Sequence, residues 1–249
     1  MAHHQPPMPA YEQGGEKMFE KRLILLDMET QRDFFMPGGS FYSHRAGEVR
    51  NNIYKLFDWA EDHHIPVLSS VLRVRQGELG PLGPKPHCVE ATPGEQKLPR
   101  TLQHPYIDLG IRNSTDLPDG IFDLYRQVIV EKRNPDLFMH ARTERLFTEL
   151  EGYHGVTFIA CGANVDSGMT LTLIGLRARG FSVVLAADAV VSPGRWDAAE
   201  LQIPRLYAKG VMFMKTSDIV KTPAEAARDY FRNAKTLTPE DRLLVRAIA

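Results

Sequence analysis

The chain has 249 residues, 43% hydrophobic and 24% charged, with 30 Lys and Arg against 31 Asp and Glu for a net charge of -1. That length and apolar content suit one large α/β domain or two small ones. The near-neutral balance argues against broad nucleic-acid binding, which needs a positive footprint to release counterions. No apolar run approaches the ~20 residues of a membrane span, and two cysteines, Cys88 and Cys161, are too few for a disulfide scaffold.

The N-terminal stretch MAHHQPPMPAYEQGGEK is polar, rich in Pro and Gly, and carries no apolar core of a signal peptide. Residues 1–19 therefore read as a disordered arm, and a cytoplasmic location is expected. KRLILLDM (21–28) is an apolar run bounded by charge, as a buried parallel strand should be. The loop ETQRDFFMPGGSFY follows, broken at Pro37-Gly38-Gly39, and AGEVRNNIYKLFDWAEDHH has helical periodicity through Val49, Ile53, Leu56, Phe57 and Ala60. IPVLSSVLRV (65–74) is a second strand. Residues 75–120 are long and irregular, which predicts a lid over a pocket or a surface that packs on another subunit.

RQVIVEK (126–132) is a third strand, TERLFTELEGYHG (143–155) a helix, and VTFIACG a fourth strand. A turn at Gly162–Gly168 leads into a helix that Gly180 ends. FSVVLAADAVV (181–191) is a fifth strand, DAAELQIPRLYAKG a helix despite Pro204, and VMFMKTSDIV a short sixth strand. Residues 221–249 read as a helical extension with capping signals at Thr222 and Thr238. The alternation predicts one Rossmann-like, three-layer α/β domain over residues 20–220, with a six-stranded, mainly parallel sheet. Ligands of such sheets bind beyond the C-terminal strand ends. That places Asp27-Met28-Glu29, Glu131-Lys132 and the Gly162–Gly168 turn together. An acid, a lysine and backbone N–H groups there can move protons and hold an oxyanion.

LLDMETQRDFFMPGGSFY, VIVEKRNPDLF, CVEATPGEQKLP and FIACGANVDSGMTLTLIGLRARGFSVVLAADAVVS together resemble the isochorismatase-like (cysteine) hydrolase family. The resemblance implies oligomers, a dimer or tetramer, acting on small molecules through an Asp-Lys-Cys triad. It puts Asp27 at the acid/base position, Lys132 at the lysine, and Gly168 where the nucleophilic cysteine would stand. It also implies an oxyanion hole from the N–H groups of Asn164 and Gly168 and a cis peptide at Ala163–Asn164; Phe34, Arg73, Glu29 and Ala163 are the expected substrate contacts.

The sequence departs from that pattern twice. DMETQRDF reads as two residues longer than the usual Asp-x-Gln-x-Asp-Phe, so Glu29 competes with Asp27 for the acid role. Asp27 is favoured because it ends an apolar strand. The second departure is Gly168 itself, since glycine cannot form an acyl-enzyme. Ser167 is turned roughly 100° away at a helix start and suits an N-cap, and Cys161 lies inside a strand. True isochorismatases also resemble this turn with glycine at the cysteine position, and there an acid protonates a vinyl ether and water completes the hydrolysis. The expectation is thus an acid–base hydrolase of a small carboxylated metabolite with no cofactor, Arg73 and Arg75 holding the carboxylate. The alternatives are a catalytically inactive member that binds a ligand or scaffolds an assembly, and an amidase with an atypical nucleophile. No metal is expected, because RVRQGELG after the second strand lacks the Asp-x-His of metal-holding relatives, and His63 and His64 read as solvated. A dinucleotide-binding protein is discounted for want of a G-x-G-x-x-G after any strand.

Overall fold

The computed structural model describes residues 23–151, 155–192, 196–222, 231, 237 and 238. The expected N-terminal arm and nearly all of the expected C-terminal helical extension lie outside the described residues. Central to the fold is β1 (Leu23–Met28), whose run of consecutive apolar residues is buried on both faces. The remaining strands are β2 (Val67–Leu72), β3 (Tyr106–Asp108), β4 (Gln127–Lys132), β5 (Thr157–Ala163), β6 (Ser182–Val191) and β7 (Met212–Met214). They form one sheet in the order β3-β4-β2-β1-β5-β6-β7, parallel throughout. The sheet thus has seven strands where six were expected. The extra one, β3, lies inside the stretch read as irregular, because three half-exposed residues at a sheet edge show no apolar pattern.

The helices are α1 (Arg32–Phe35), α2 (Ala46–Asp62), α3 (Ile121–Leu124), α4 (Thr143–Glu151), α5 (Gly168–Ala178), α6 (Trp196–Ala208) and α7 (Thr216–Ile219). Two apolar clusters flank the sheet. Ile24, Leu26 and Phe158 face Phe147 of α4, Leu173 and Leu176 of α5, and Leu206 of α6. Leu23, Leu25 and Ile159 face Ile53, Leu56 and Phe57 of α2 and Ile219 of α7. Each fully buried Leu or Phe contributes roughly 1.5–3 kcal/mol, so the two layers fix the sheet and hence its edge.

The chain leaves β1 toward β2 on one side and returns to β5 on the other, so the order reverses at β1–β5 and opens a crevice at their C-terminal ends. Gly162 holds the two strands close there. Its φ is +118°, and an added Cβ would lie 1.9 Å from the Met28 carbonyl oxygen. At this glycine the β5–β6 register also shifts, as at a bulge that re-aims the following turn.

Candidate active site

Three segments converge on the crevice. Glu29 follows β1 with φ 53°, a left-handed turn that swings its side chain out of the sheet register. Its carboxylate lies 2.5 Å from Nζ of Lys132, the last residue of β4, and both side chains are almost wholly buried. Lys132 also donates to the carbonyl of Pro135. Gly168 opens α5, so its N–H has no helical acceptor. A Cβ built on Gly168 would lie 2.6 Å from the Pro135 carbonyl oxygen and 3.2 Å from Lys132 Nζ. A side chain at position 168 would therefore lie beside the lysine, and its space is taken by backbone.

Lys132 pairs with Glu29 and not with Asp27, which corrects the acid expected from sequence. Counted back from Gln31, Glu29-Thr30-Gln31-Arg32-Asp33-Phe34 keeps the spacing of Asp-x-Gln-x-Asp-Phe with Glu in place of Asp. In that frame the resemblance departs at its first residue and not in its length. Gln31 supports this frame, donating to the Leu72 and Glu95 carbonyls (2.8 Å each) and accepting from the Leu72 N–H (2.7 Å). Asp27, being inside β1, points to the α2 face and meets Lys97, a residue the sequence did not single out. Ser69 Oγ donates to Asp27 at 2.8 Å, Lys97 reaches Thr30 Oγ1 at 2.6 Å, and Gln127 donates to Ser69 at 2.7 Å. This second pair is a buried network spanning β1, β2, β4 and the 97–103 segment.

Electrostatics separate the groups. Burial pushes the Glu29 carboxyl up from its usual value, against the pull of Lys132, and Asp166 pushes it the same way as burial. Burial also pushes the Cys161 thiol well up, with Asp27 adding to it, and it raises Cys88 likewise, with Glu29 adding. Neither thiol is poised to be a thiolate. Ser167 occupies the N-cap position of α5, yet its hydroxyl makes no cap bond.

The other expected contacts scatter. Phe34 is fully buried in the α2-side core, its ring stacked 6.1 Å from Phe41, because α1 turns it inward. Ala163 is buried in the same layer. Arg73 is held between Glu95 and Glu131, with 2.7 Å to the latter, so its charge is spent within the protein. The Ala163–Asn164 bond, expected to be cis, is trans, and Asn164 has φ 69°. Arg75 does line a cleft of about 400 Å³ outside Lys132, together with Arg112, Arg133 and His140. Of the apolar residues in the long segment, Leu98 is buried and Leu79 exposed. His63 and His64 are exposed, and among the described residues no group of three His, Cys, Asp or Glu is placed to hold a metal ion. No helix among them is long and apolar enough to cross a membrane.

The sheet order and this crevice define an α/β fold shared with isochorismatase-like hydrolases and nicotinamidases of known structure. A nicotinamidase from Bacillus subtilis superposes with a TM-score of 0.60 at 16% identity, over 78% of this chain and 99% of its own. An isochorismatase family protein from Desulfovibrio vulgaris gives 0.60 at 18%, over 81% and 98%. The N-carbamoylsarcosine amidase from Thermoplasma acidophilum gives 0.57 at 14%, over 78% and 96%. No family model matches the chain, and no curated protein matches it by sequence.

Proposed function

We propose that the protein is a hydrolase of a small carboxylated metabolite, working by acid–base chemistry at Glu29 and Lys132 without a covalent nucleophile. The observation that carries this reading is a buried carboxyl with a raised pKa, 2.5 Å from a buried lysine, at a turn where no side chain fits the nucleophile position. The likeness of fold to hydrolases supports it.

On a vinyl ether, neutral Glu29 donates its proton to the terminal vinyl carbon, and the C=C electron pair forms the new C–H bond. The cation left on the ether carbon takes up water, which returns a proton to Glu29. The hemiketal then splits into a carbonyl compound and an alcohol, for a net addition of one water. Lys132 stabilises the carboxylate that exists between the two proton transfers. Because the neutral acid is the working form, the rate falls as pH rises through the raised pKa of Glu29.

A panel of vinyl-ether, ester and amide carboxylates incubated with purified protein tests this. We expect vinyl-ether turnover, its loss in Glu29→Gln, and no effect of thiol alkylation. Inactivation by alkylation would overturn the mechanism. A second reading, a ligand-binding protein without catalysis, is favoured by the Pro135 carbonyl that engages Lys132. Absence of turnover across the whole panel would establish that reading over the first.

A further inference from the structure

The loop 109–116 has neither helix nor strand, yet it is firmly held. Arg142, a buried guanidinium, donates to the carbonyls of Asp116 (2.8 Å), Leu109 (3.0 Å) and Arg112 (3.4 Å). His140 Nε2 lies 2.8 Å from the Gly110 carbonyl, which can only accept, so Nε2 carries the proton and Nδ1 accepts the Arg142 N–H at 3.2 Å. A buried cation satisfied by backbone carbonyls leaves the loop little freedom, because moving it would strand the charge.

What this stiffness positions is Arg112. Its side chain is exposed, has no ion-pair partner among the described residues, and lines the cleft outside Lys132. Arg75 and Arg133 share that lining. Arg75 is tied only to Glu78, across 3.3 Å of a mostly solvent-exposed pair that holds it weakly. Arg133 engages Glu90 at 2.5 Å and, through Nη1, Glu78 at 3.9 Å, while its Nε and Nη1 make no hydrogen bond. Two carboxylates line the same cleft, but Glu131 is already held by Arg73 and Asp136 caps the turn at Phe138. Three arginines and Lys132 thus line one cleft, and Arg112 alone among these four has no ion pair with the described residues; about 400 Å³ is room for a metabolite.

We infer that this cleft is an oxyanion-binding site in which Arg112 is the specificity-determining residue, receiving a second acidic group of the substrate away from the bond that reacts at Glu29. The inference rests on the acid–base reading only for where the reacting bond lies; the binding site stands by itself.

Calorimetric titration of the full chain at low, matched ionic strength tests it, with acetate, succinate and inorganic phosphate as probes. Succinate is expected to bind at least about tenfold more tightly than acetate, and Arg112→Ala to weaken it about tenfold without shifting the ligand-free melting temperature. Arg112→Lys, which keeps the charge but loses the planar fork, should fall between. Phosphate binding that also needs Arg112 supports a general oxyanion site, and its absence supports a dicarboxylate site. Succinate binding unchanged in Arg112→Ala, or equalled by acetate, overturns the inference. Glu29→Gln should leave succinate binding intact. Turnover of a monocarboxylate substrate with no succinate binding would sink this site while sparing the hydrolase, and Arg112-dependent binding with no turnover would do the reverse.

Discussion

Two carboxylate–lysine pairs are buried at this sheet edge, and their surroundings differ. Asp27 and Lys97 are tied into Ser69 and Thr30 by hydrogen bonds, whereas Glu29 has Lys132 as its anchor. The first pair suits a structural role, and the second is the one proposed to act on substrate. Removing one member of a buried pair strands the other charge, so Lys97→Met should cost about 3–5 kcal/mol in urea denaturation. The Asp27→Leu/Lys97→Met double variant should recover most of that, since well-packed apolar groups often match a buried ion pair. A double variant as unstable as the single would mean that the surrounding hydroxyls, and not the charge, set the cost.

The elements carry their own tests. Gly162→Ala places a methyl group against the Met28 carbonyl at a φ that side chains rarely adopt, and about 3 kcal/mol or more of destabilisation is expected. At the β3 edge, partial burial and the neighbouring Glu131 push Asp108 up to about 6. A carboxyl raised on folding favours the folded state below its unfolded pKa, and that contribution is lost as pH rises through the folded value. Stability from this group should thus decline from about pH 4 to pH 6, and Asp108→Asn should flatten that part of the curve in chemical denaturation. Elements of this kind were unevenly legible from sequence. β1, β2, β4 and β5 show as apolar runs because both of their faces are buried, while β3, at the edge with three residues, has no such run. Lys132 and the Gly168 turn could be placed because each follows or ends an apolar strand at the ligand-binding end of the sheet, while their roles came from the resemblance. Glu29 was obscured because Asp27 offers a nearer acid at the end of the same strand. Lys97 could not be seen at all, since its partner is 70 positions away and no local periodicity links them.

For the molecule as a whole, the 75–120 segment is both a brace and a wall. Its Lys97 enters the core network, and its Arg112 loop overlooks the cleft. The space beside Gly168 is closed by a different segment, the backbone at Pro135. Gly168→Cys should therefore yield no thiol-dependent amidase and should destabilise by about 1–3 kcal/mol through overpacking, read by amidase assay and thermal melting. That closure reaches beyond one variant. In the genetic code glycine and cysteine can be neighbours, so a thiol here is a short step for mutation. Sterically it is a step that must come second, after the chain at Pro135 has been re-routed. Libraries that vary Gly168 alone will find nothing, while those that first shorten or redraw residues 133–136 will have a path, so the order of changes decides which chemistry this turn can acquire.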